Sequence, residues 1–495
     1  MSGSTLDDRL MYRRELFIGG AWVPPANGGH VDVISPSTEA PVGSVPLATN
    51  ADVDRAVTAA RDAFDNGPWP RMTPSERADA LERVAVSLRK REAEIAGVTV
   101  DEMGCAISQA PQAQTGFTAV LFEYYASLAR AFEFERTVVT GPRAGLVTQE
   151  PAGVVAIIVP WNAPVTLACW KAAPALAAGC PVIIKPAPEA PLSNFILADA
   201  IAEADLPEGV VSVIPAGRDV GEHLVTHPGT DKVAFTGSTA AGKRIMSLCG
   251  EQVKRVSLEL GGKSAVIIAD DTDIATVIPR MVHGAMHLSG QVCGAHTRVL
   301  VPRARYGAAV EAAAADAAHV TVGDPHDPAT LVGPLAAERQ RDRVEGYIKL
   351  ALDAGARVAA GGGRPAGLPR GWYVEPTILA DVDNSMRVAR EEIFGPVLCF
   401  IPYDTDEEAV AIANDSPYGL AGGVWSADPA RALAIARRLR TGSVAVNGSF
   451  PPFPLVPFGG FKESGLGREL GPEGLLNFLE PRSIGLPPEL HPGSA

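Results

Sequence analysis

Cys293 stands in Ser289-Gly290-Gln291-Val292-Cys293-Gly294, a run of small and polar residues. A thiol in such a setting is accessible enough to act as a nucleophile, whereas most lone cysteines are inert packing. The packing reading suits Cys105, Cys169, Cys180, Cys249 and Cys399. Glu259 ends the apolar run of Leu258-Glu259-Leu260-Gly261-Gly262-Lys263. A carboxylate there is costly unless it is partnered or used, and burial would raise its proton affinity toward that of a general base. A glutamate that merely caps a turn is an equal alternative. Asn162, in Pro160-Trp161-Asn162-Ala163-Pro164, has an amide that can donate to a developing oxyanion, or simply hold a turn before a helix.

A phosphate site is the other chemistry on offer. In Phe235-Thr236-Gly237-Ser238-Thr239-Ala240-Ala241-Gly242-Lys243, glycines let backbone approach an anion, and a helix opening near Thr239 presents free N–H groups. The spacing of Gly237 and Gly242-Lys243 approaches a P-loop. Arg244 follows where a magnesium-holding Ser or Thr is needed, which disfavours a P-loop NTPase. The histidines His283, His287 and His296 come without an acidic ligand or an H-E-x-x-H pattern. They read as helix packing rather than metal ligands.

The elements that must position these groups alternate. Val154–Val159, Val182–Ile184, Val210–Ile214 and Val233–Phe235 are continuous apolar runs. Between them lie helical stretches that open at Pro164, at Pro191, near Val220 and at Thr239. Continuous rather than alternating apolar strands predict a parallel sheet covered on both faces. The ends of its first strands would carry Asn162 and Ser238 to a ligand crevice. Asp52–Asn66 and Pro74–Val98 read as amphipathic surface helices, and Arg136–Gln149 as a protruding hairpin. A second α/β rhythm follows, with a strand at Ala265–Ala269, a helix from Ile274 to His287 that ends near Cys293, and a strand at Arg298–Val301.

The bulk numbers narrow the class. With 495 residues, 46% hydrophobic and 20% charged, the chain should fold into about three units. A net charge of −14 without a Lys/Arg block argues against nucleic-acid or membrane-surface partners. Six scattered cysteines without a C-x-x-C pair leave no zinc or thioredoxin pattern and suit a reducing compartment. Met1–Phe17 lacks an apolar signal core, so the cytoplasm is the expected location.

Taken in order, PWNAP at 160–164, KPAPEAP at 185–191, FTGSTAAGK at 235–243, LELGGKS at 258–264, GQVC at 290–293, EEIFGPV at 391–397 and PFGGFKESGLGRE at 457–469 resemble the aldehyde dehydrogenase superfamily over nearly the whole chain. The resemblance implies an α/β protein with a Rossmann-like parallel-sheet cofactor domain (1–129 and 151–258) and an α/β catalytic domain (259–457). It adds a small β oligomerisation element (130–150 and 470–495) and a homodimer or homotetramer. It makes Cys293 the nucleophile and Glu259 the base. Asn162 and the Cys293 N–H become the oxyanion site, and Lys171 and Glu469 a proton path. Lys185 would contact the adenosine ribose and Ser238 the pyrophosphate. Trp161 would line the cofactor cleft with Val159, Gly237, Leu260 and Gly261, and Glu392 and Phe394 would position the nicotinamide ribose. Trp170, Phe458, Val292 and Thr166 match substrate-tunnel positions.

This sequence departs from the family pattern at some positions. Ala163 replaces a commonly bulky aromatic, which should widen the tunnel for a medium-sized or bulky apolar aldehyde. Pro188 stands where the family has an acid that grips a 2′-hydroxyl, with Glu189 next. NAD is expected because no arginine is visible beside that position, with NADP open and no metal required. A CoA-acylating dehydrogenase would not need Glu259. Ester hydrolysis would be incidental given so many cofactor motifs, and a non-catalytic scaffold protein would not retain Cys293, Glu259 and Asn162 together.

Overall fold

The computed structural model describes residues 7–490. The outermost parts of the expected cofactor and oligomerisation segments, 1–6 and 491–495, lie outside the described residues.

Two sheets dominate. The first has eight strands in the order Ala21–Val23, Leu16–Ile18, Val211–Val213, Val182–Lys185, Val155–Ile158, Lys232–Thr236, Arg255–Glu259 and Gly465–Leu466. Its middle five are mutually parallel, and the strand at each side of them joins antiparallel. Each middle strand before Arg255 is buried throughout, as its unbroken apolar run requires. The chain moves outward from Val155–Ile158 through Val182–Lys185 to Val211–Val213, then returns to pair Lys232–Thr236 on the other flank of Val155–Ile158. That reversal is a topological switch point, where loops leaving neighbouring strands part and open a crevice.

The helices follow local rules. Pro164–Ala178 begins with Pro in its first turn and stops at Gly179, whose φ of 96° supplies the left-handed cap. Thr239–Glu251 is capped by Ser238, whose side chain accepts from the Ala241 N–H. Two boundaries differ from the sequence reading. The helix expected over 74–98 is two, Pro74–Lys90 and Glu92–Met103, and it breaks where the Arg91 guanidinium reaches Glu203 at 2.7 Å. The helix expected to reach His287 ends at Ala285. Leu288 and Ser289 then take positive φ values of 49° and 56°, so Cys293 lies in a turn rather than at a helix end.

The second sheet has seven strands, ordered Arg357–Ala360, Thr377–Ala380, Val397–Tyr403, His296–Pro302, Ser264–Ile268, Ala421–Trp425 and Ser443–Val446. All its pairings are parallel except at the Arg357–Ala360 edge. Only Leu260–Lys263 separates the last parallel strand of the first sheet from the strand Ser264–Ile268 of the second. A third sheet pairs the hairpin Glu135–Thr140 and Arg143–Pro151 with Leu479–Leu486, all antiparallel. Among the described residues, no helix is long and apolar enough to cross a membrane.

Candidate active site

The crevice at the switch point is a long cleft. One end, about 550 Å³, is walled by Val159, Lys185, Gly237 and Ser238, with Arg218 and Arg244 at its rim. The other end, also about 550 Å³, is walled by Trp161, Leu260, Gly261, Glu392 and Phe394 and reaches Asn162, Glu259 and Cys293. Trp161 and Phe394 meet edge to face, with ring centroids 5.5 Å apart.

The residues present fit a dinucleotide. The buried Lys185 Nζ donates to the carbonyls of Ala216 (2.8 Å) and Pro186 (3.0 Å), which leaves one of its three N–H bonds free. Burial lowers its pKa to about 8. The N-terminus of Thr239–Glu251 opens on the same wall, where backbone N–H groups suit a pyrophosphate. Gly261 has no room for a side chain, because a Cβ would stand 2.5 Å from the Glu392 carboxylate. Glu392 itself accepts from the Gly262 N–H at 3.2 Å, and burial raises its pKa to about 7.

Two expectations about the adenosine end need correction. Glu189 is not in the cleft wall; its carboxylate pairs with Arg339 at 2.8 Å. An arginine does reach the cleft, since Arg218 lines both ends. It is the first residue of the helix Arg218–Thr226, thirty residues beyond Pro188, so the sequence around Lys185 gives no sign of it. The near-P-loop reading fails in space as well, because Lys243 pairs with Glu463 at 2.9 Å and Arg244 with Glu222 at 2.9 Å.

A second cavity, about 310 Å³, approaches Cys293 from the opposite side. Ala163, Thr166, Trp170, Val292 and Phe458 all line it. Thr166 turns its hydroxyl to the carbonyls of Gln114 (2.8 Å) and Ala113 (3.1 Å). Phe458 packs edge to face against Trp170 at 5.3 Å and Phe453 at 5.6 Å. The sequence reading missed Phe117, Phe450 and Phe453. The last two belong to the proline-rich stretch 451–454 and its approach, which looks like a plain loop.

The cleft and the tunnel share Asn162, Leu167, Thr236, Glu259 and Cys293. Cys293 is partly exposed there, while the five other cysteines are buried. Its loop is held from several sides. The Gln291 side chain donates to the Leu288 carbonyl (3.0 Å) and accepts from the Ala336 N–H (3.0 Å), and its backbone carbonyl takes the Asn162 Nδ2 donor (2.8 Å). Gly290, with φ 75°, admits the Gly395 carbonyl where a Cβ would collide. Burial, together with the charges of Glu392 and Glu259, pushes the Cys293 thiol up to about 12. The N–H groups of Gly294 and Cys293 act in the opposite direction on the sulfur.

Behind the sulfur lies a buried charge cluster. Lys171 Nζ sits 2.6 Å from Glu469 Oε1 and donates to Thr236 Oγ1 at 2.5 Å. Burial raises the Glu259 pKa well above its ordinary value. The neighbouring Glu469 charge adds to the rise, and Lys171 and Arg468 oppose it. Glu259 Oε2 is buried without a hydrogen-bond partner in the protein, and the residue lines both cavities. The motif at 457–469 supplies part of this architecture. Phe458 and Glu469 bond to each other's backbone, and Gly465 pairs with Glu259.

Against known proteins, the model of the aldehyde dehydrogenase family matches residues 22–484. Geranial dehydrogenase of Castellaniella defragrans is 46% identical over 95% of this chain and 98% of its own. Betaine aldehyde dehydrogenase 1 of Oryza sativa is 41% identical over 95% of each. The crystal structure of a Mycobacterium tuberculosis aldehyde dehydrogenase complexed with NAD+ superposes with a TM-score of 0.94 at 45% identity, covering 96% of this chain and 99% of that one. A Pseudomonas syringae aldehyde dehydrogenase C mutant in complex with NAD+ and octanal gives 0.91 at 41% identity, covering 95% and 96%. With a cleft and a tunnel meeting at a thiol, a carboxylate and an amide, the chain belongs to the aldehyde dehydrogenase family and is an oxidoreductase that acts on aldehydes.

Proposed function

We propose that the protein oxidises a medium-sized or bulky apolar aldehyde to its acid, with Cys293 as nucleophile and NAD+ as oxidant. The observation that carries this is the meeting of a polar cleft and an apolar tunnel at Cys293. The Cys293 sulfur, its proton lost to water in the cleft, adds to the aldehyde carbon, and Glu259, whose raised pKa makes it a competent base, is kept for the hydrolysis that follows. Asn162 Nδ2 and the Cys293 N–H donate to the resulting oxyanion. NAD+, when bound, takes the aldehyde hydrogen as hydride, which leaves the acyl group on sulfur as a thioester. Glu259 then takes a proton from water. The hydroxide attacks the thioester, the thiolate leaves, and the acid departs through the tunnel. The Lys171–Glu469 pair lies behind Glu259 and stabilises or relays its proton.

The tunnel wall supports the substrate class. Phe117, Trp170, Phe450, Phe453 and Phe458 line it with Ala163 and aliphatic side chains, and its only carboxylates, Glu259 and Glu469, belong to the buried cluster behind the sulfur. The NAD+ complexes of its structural relatives support NAD+ as the oxidant, and Arg218, on the wall of both cleft ends, would set any residual use of NADP+. The three sheets support a cofactor unit (1–129 and 151–258), a catalytic unit (259–457) and an oligomerisation element (130–150 and 470–495). A homodimer or homotetramer in the cytoplasm completes the reading.

The test is NADH-linked absorbance without CoA, across apolar, aromatic and quaternary-ammonium aldehydes, with NAD+ and NADP+ compared. Apolar aldehydes and NAD+ should lead, Cys293→Ser should abolish turnover, and Arg218→Ala should lower any NADP+ activity. A preference for betaine aldehyde or two-carbon substrates would overturn the substrate class. Unimpaired turnover by Cys293→Ser would remove the thiol from the mechanism.

A further inference from the structure

His287 and His296, read from sequence as helix packing, do something else. They wall a further cavity of about 510 Å³. Six of its wall residues are also wall residues of the tunnel: His287, Val292, Gly294, His296, Ala445 and Phe450. The two spaces are therefore neighbours across a thin partition. That partition is a stacked pair, His296 on Phe450, with centroids 6.0 Å apart and planes 19° off parallel. Beyond it the walls are mostly carbon, from Met281, Ala285 and Trp425, with Arg280, His283 and Asn447 among them. Among the described residues, no group of histidines and acids is arranged to hold a metal ion.

We propose that this outer chamber is a second substrate-binding site, which receives the far end of an elongated apolar aldehyde whose carbonyl lies at Cys293. The proposal rests on the aldehyde-oxidation reading above and extends it. Size is the first argument. The tunnel alone is at the lower limit of ordinary ligand pockets, and the chamber is larger than the tunnel, so the pair suits a chain too long for the first space. Phe450 is the second. The residue is 69% exposed although it borders both cavities, an apolar surface left in water where a hydrocarbon chain would cover it.

Charge is the third argument. Burial holds the His296 pKa down at about 4 and lowers that of His287, so both rings at the partition are neutral at physiological pH. Neutral rings let an apolar chain pass without stranding an ion. The pair would part, or flatten against the chain, as the ligand threads between the cavities.

Gly284 offers the test, because it lines the chamber and a Cβ there meets nothing within 4 Å. Gly284→Phe should therefore fold and fill the space. Measured as kcat/KM, wild type should prefer decanal to butanal, and Gly284→Phe should lower the decanal-to-butanal ratio by about tenfold, since each lost methylene contact in an apolar pocket matters. An unchanged ratio would overturn the chamber as a substrate site. A binding measurement separates this from the failure of turnover itself. Decanoate titrated into wild type should change the tryptophan emission, Trp425→Phe should remove most of that change, and butyrate should give none. If no aldehyde is oxidised, the aldehyde reading falls, yet this titration still decides the chamber. A decanoate signal that does not depend on Trp425 would sink it.

Discussion

At the scale of single residues, the site sets an unusual acid–base problem. The Cys293 thiol is raised to about 12 by burial and by two nearby carboxylates, so at neutral pH its thiolate fraction is smaller than that of an ordinary cysteine. In the free protein, alkylation of Cys293 by iodoacetamide should be slow at pH 7 and climb with pH past the ordinary thiol range. Adding NAD+, whose nicotinamide is cationic, should accelerate it at fixed pH. A rate that levels off near pH 8.5 would show a thiol that the carboxylates do not restrain. Glu259 has the complementary role. Glu259→Gln keeps the side chain's shape and removes the base, so the first turnover should survive while later ones fall by roughly 10²–10⁴-fold. The measurement is stopped-flow NADH formation, with a burst near one equivalent per site. A loss of burst and steady rate together would place Glu259 in the first step.

Elements decide whether those residues meet. Gln291 ties the Cys293 loop to Leu288, Ala336 and Asn162. Gln291→Ala leaves the Ala336 N–H without its partner, at a cost of roughly 1–3 kcal/mol. It should lower kcat more than it raises KM, with a modest fall in Tm. Unchanged kcat would mean that the glycines alone fix the loop. The parallel strands and the helices between them were legible from sequence because buried strands read as unbroken apolar runs and Pro164 and Ser238 mark helix starts. The Cys293 turn was not, since Leu288 and Ser289 adopt left-handed backbone that their residue types disfavour. Glu259 stood out because a buried carboxylate is costly unless used, whereas Cys293 and Asn162 took their expected roles from the family motifs around them. Arg218, Phe117 and Phe450 were not, because ordinary loop and helix residues acquire meaning only when folding brings them to a cavity wall. The Glu189–Arg339 pair was hidden for the same reason, its partners lying 150 positions apart.

On the scale of the whole molecule, the hairpin sheet is conspicuous for what it leaves uncovered. Every residue of Glu135–Thr140 is exposed, with Val138 at 42% and Val139 at 52%, and Ile484 on the far strand is 39% exposed. Apolar side chains beside an unpaired strand edge invite another chain, and a second copy of this one is the expected cover. Light scattering should therefore report a dimer or tetramer, and Val139→Lys should shift it toward smaller species; an unaltered mass would exclude this sheet from the assembly. The four-residue passage Leu260–Lys263 has a mechanical consequence. Glu259 terminates one sheet, while Cys293 leads into His296–Pro302 of the other. Four residues at full stretch span only about 14 Å, so any rocking of one half of the molecule against the other works on a short leash. The cleft can breathe to admit and release its large ligands, yet the carboxylate and the sulfur can never wander far apart between turnovers.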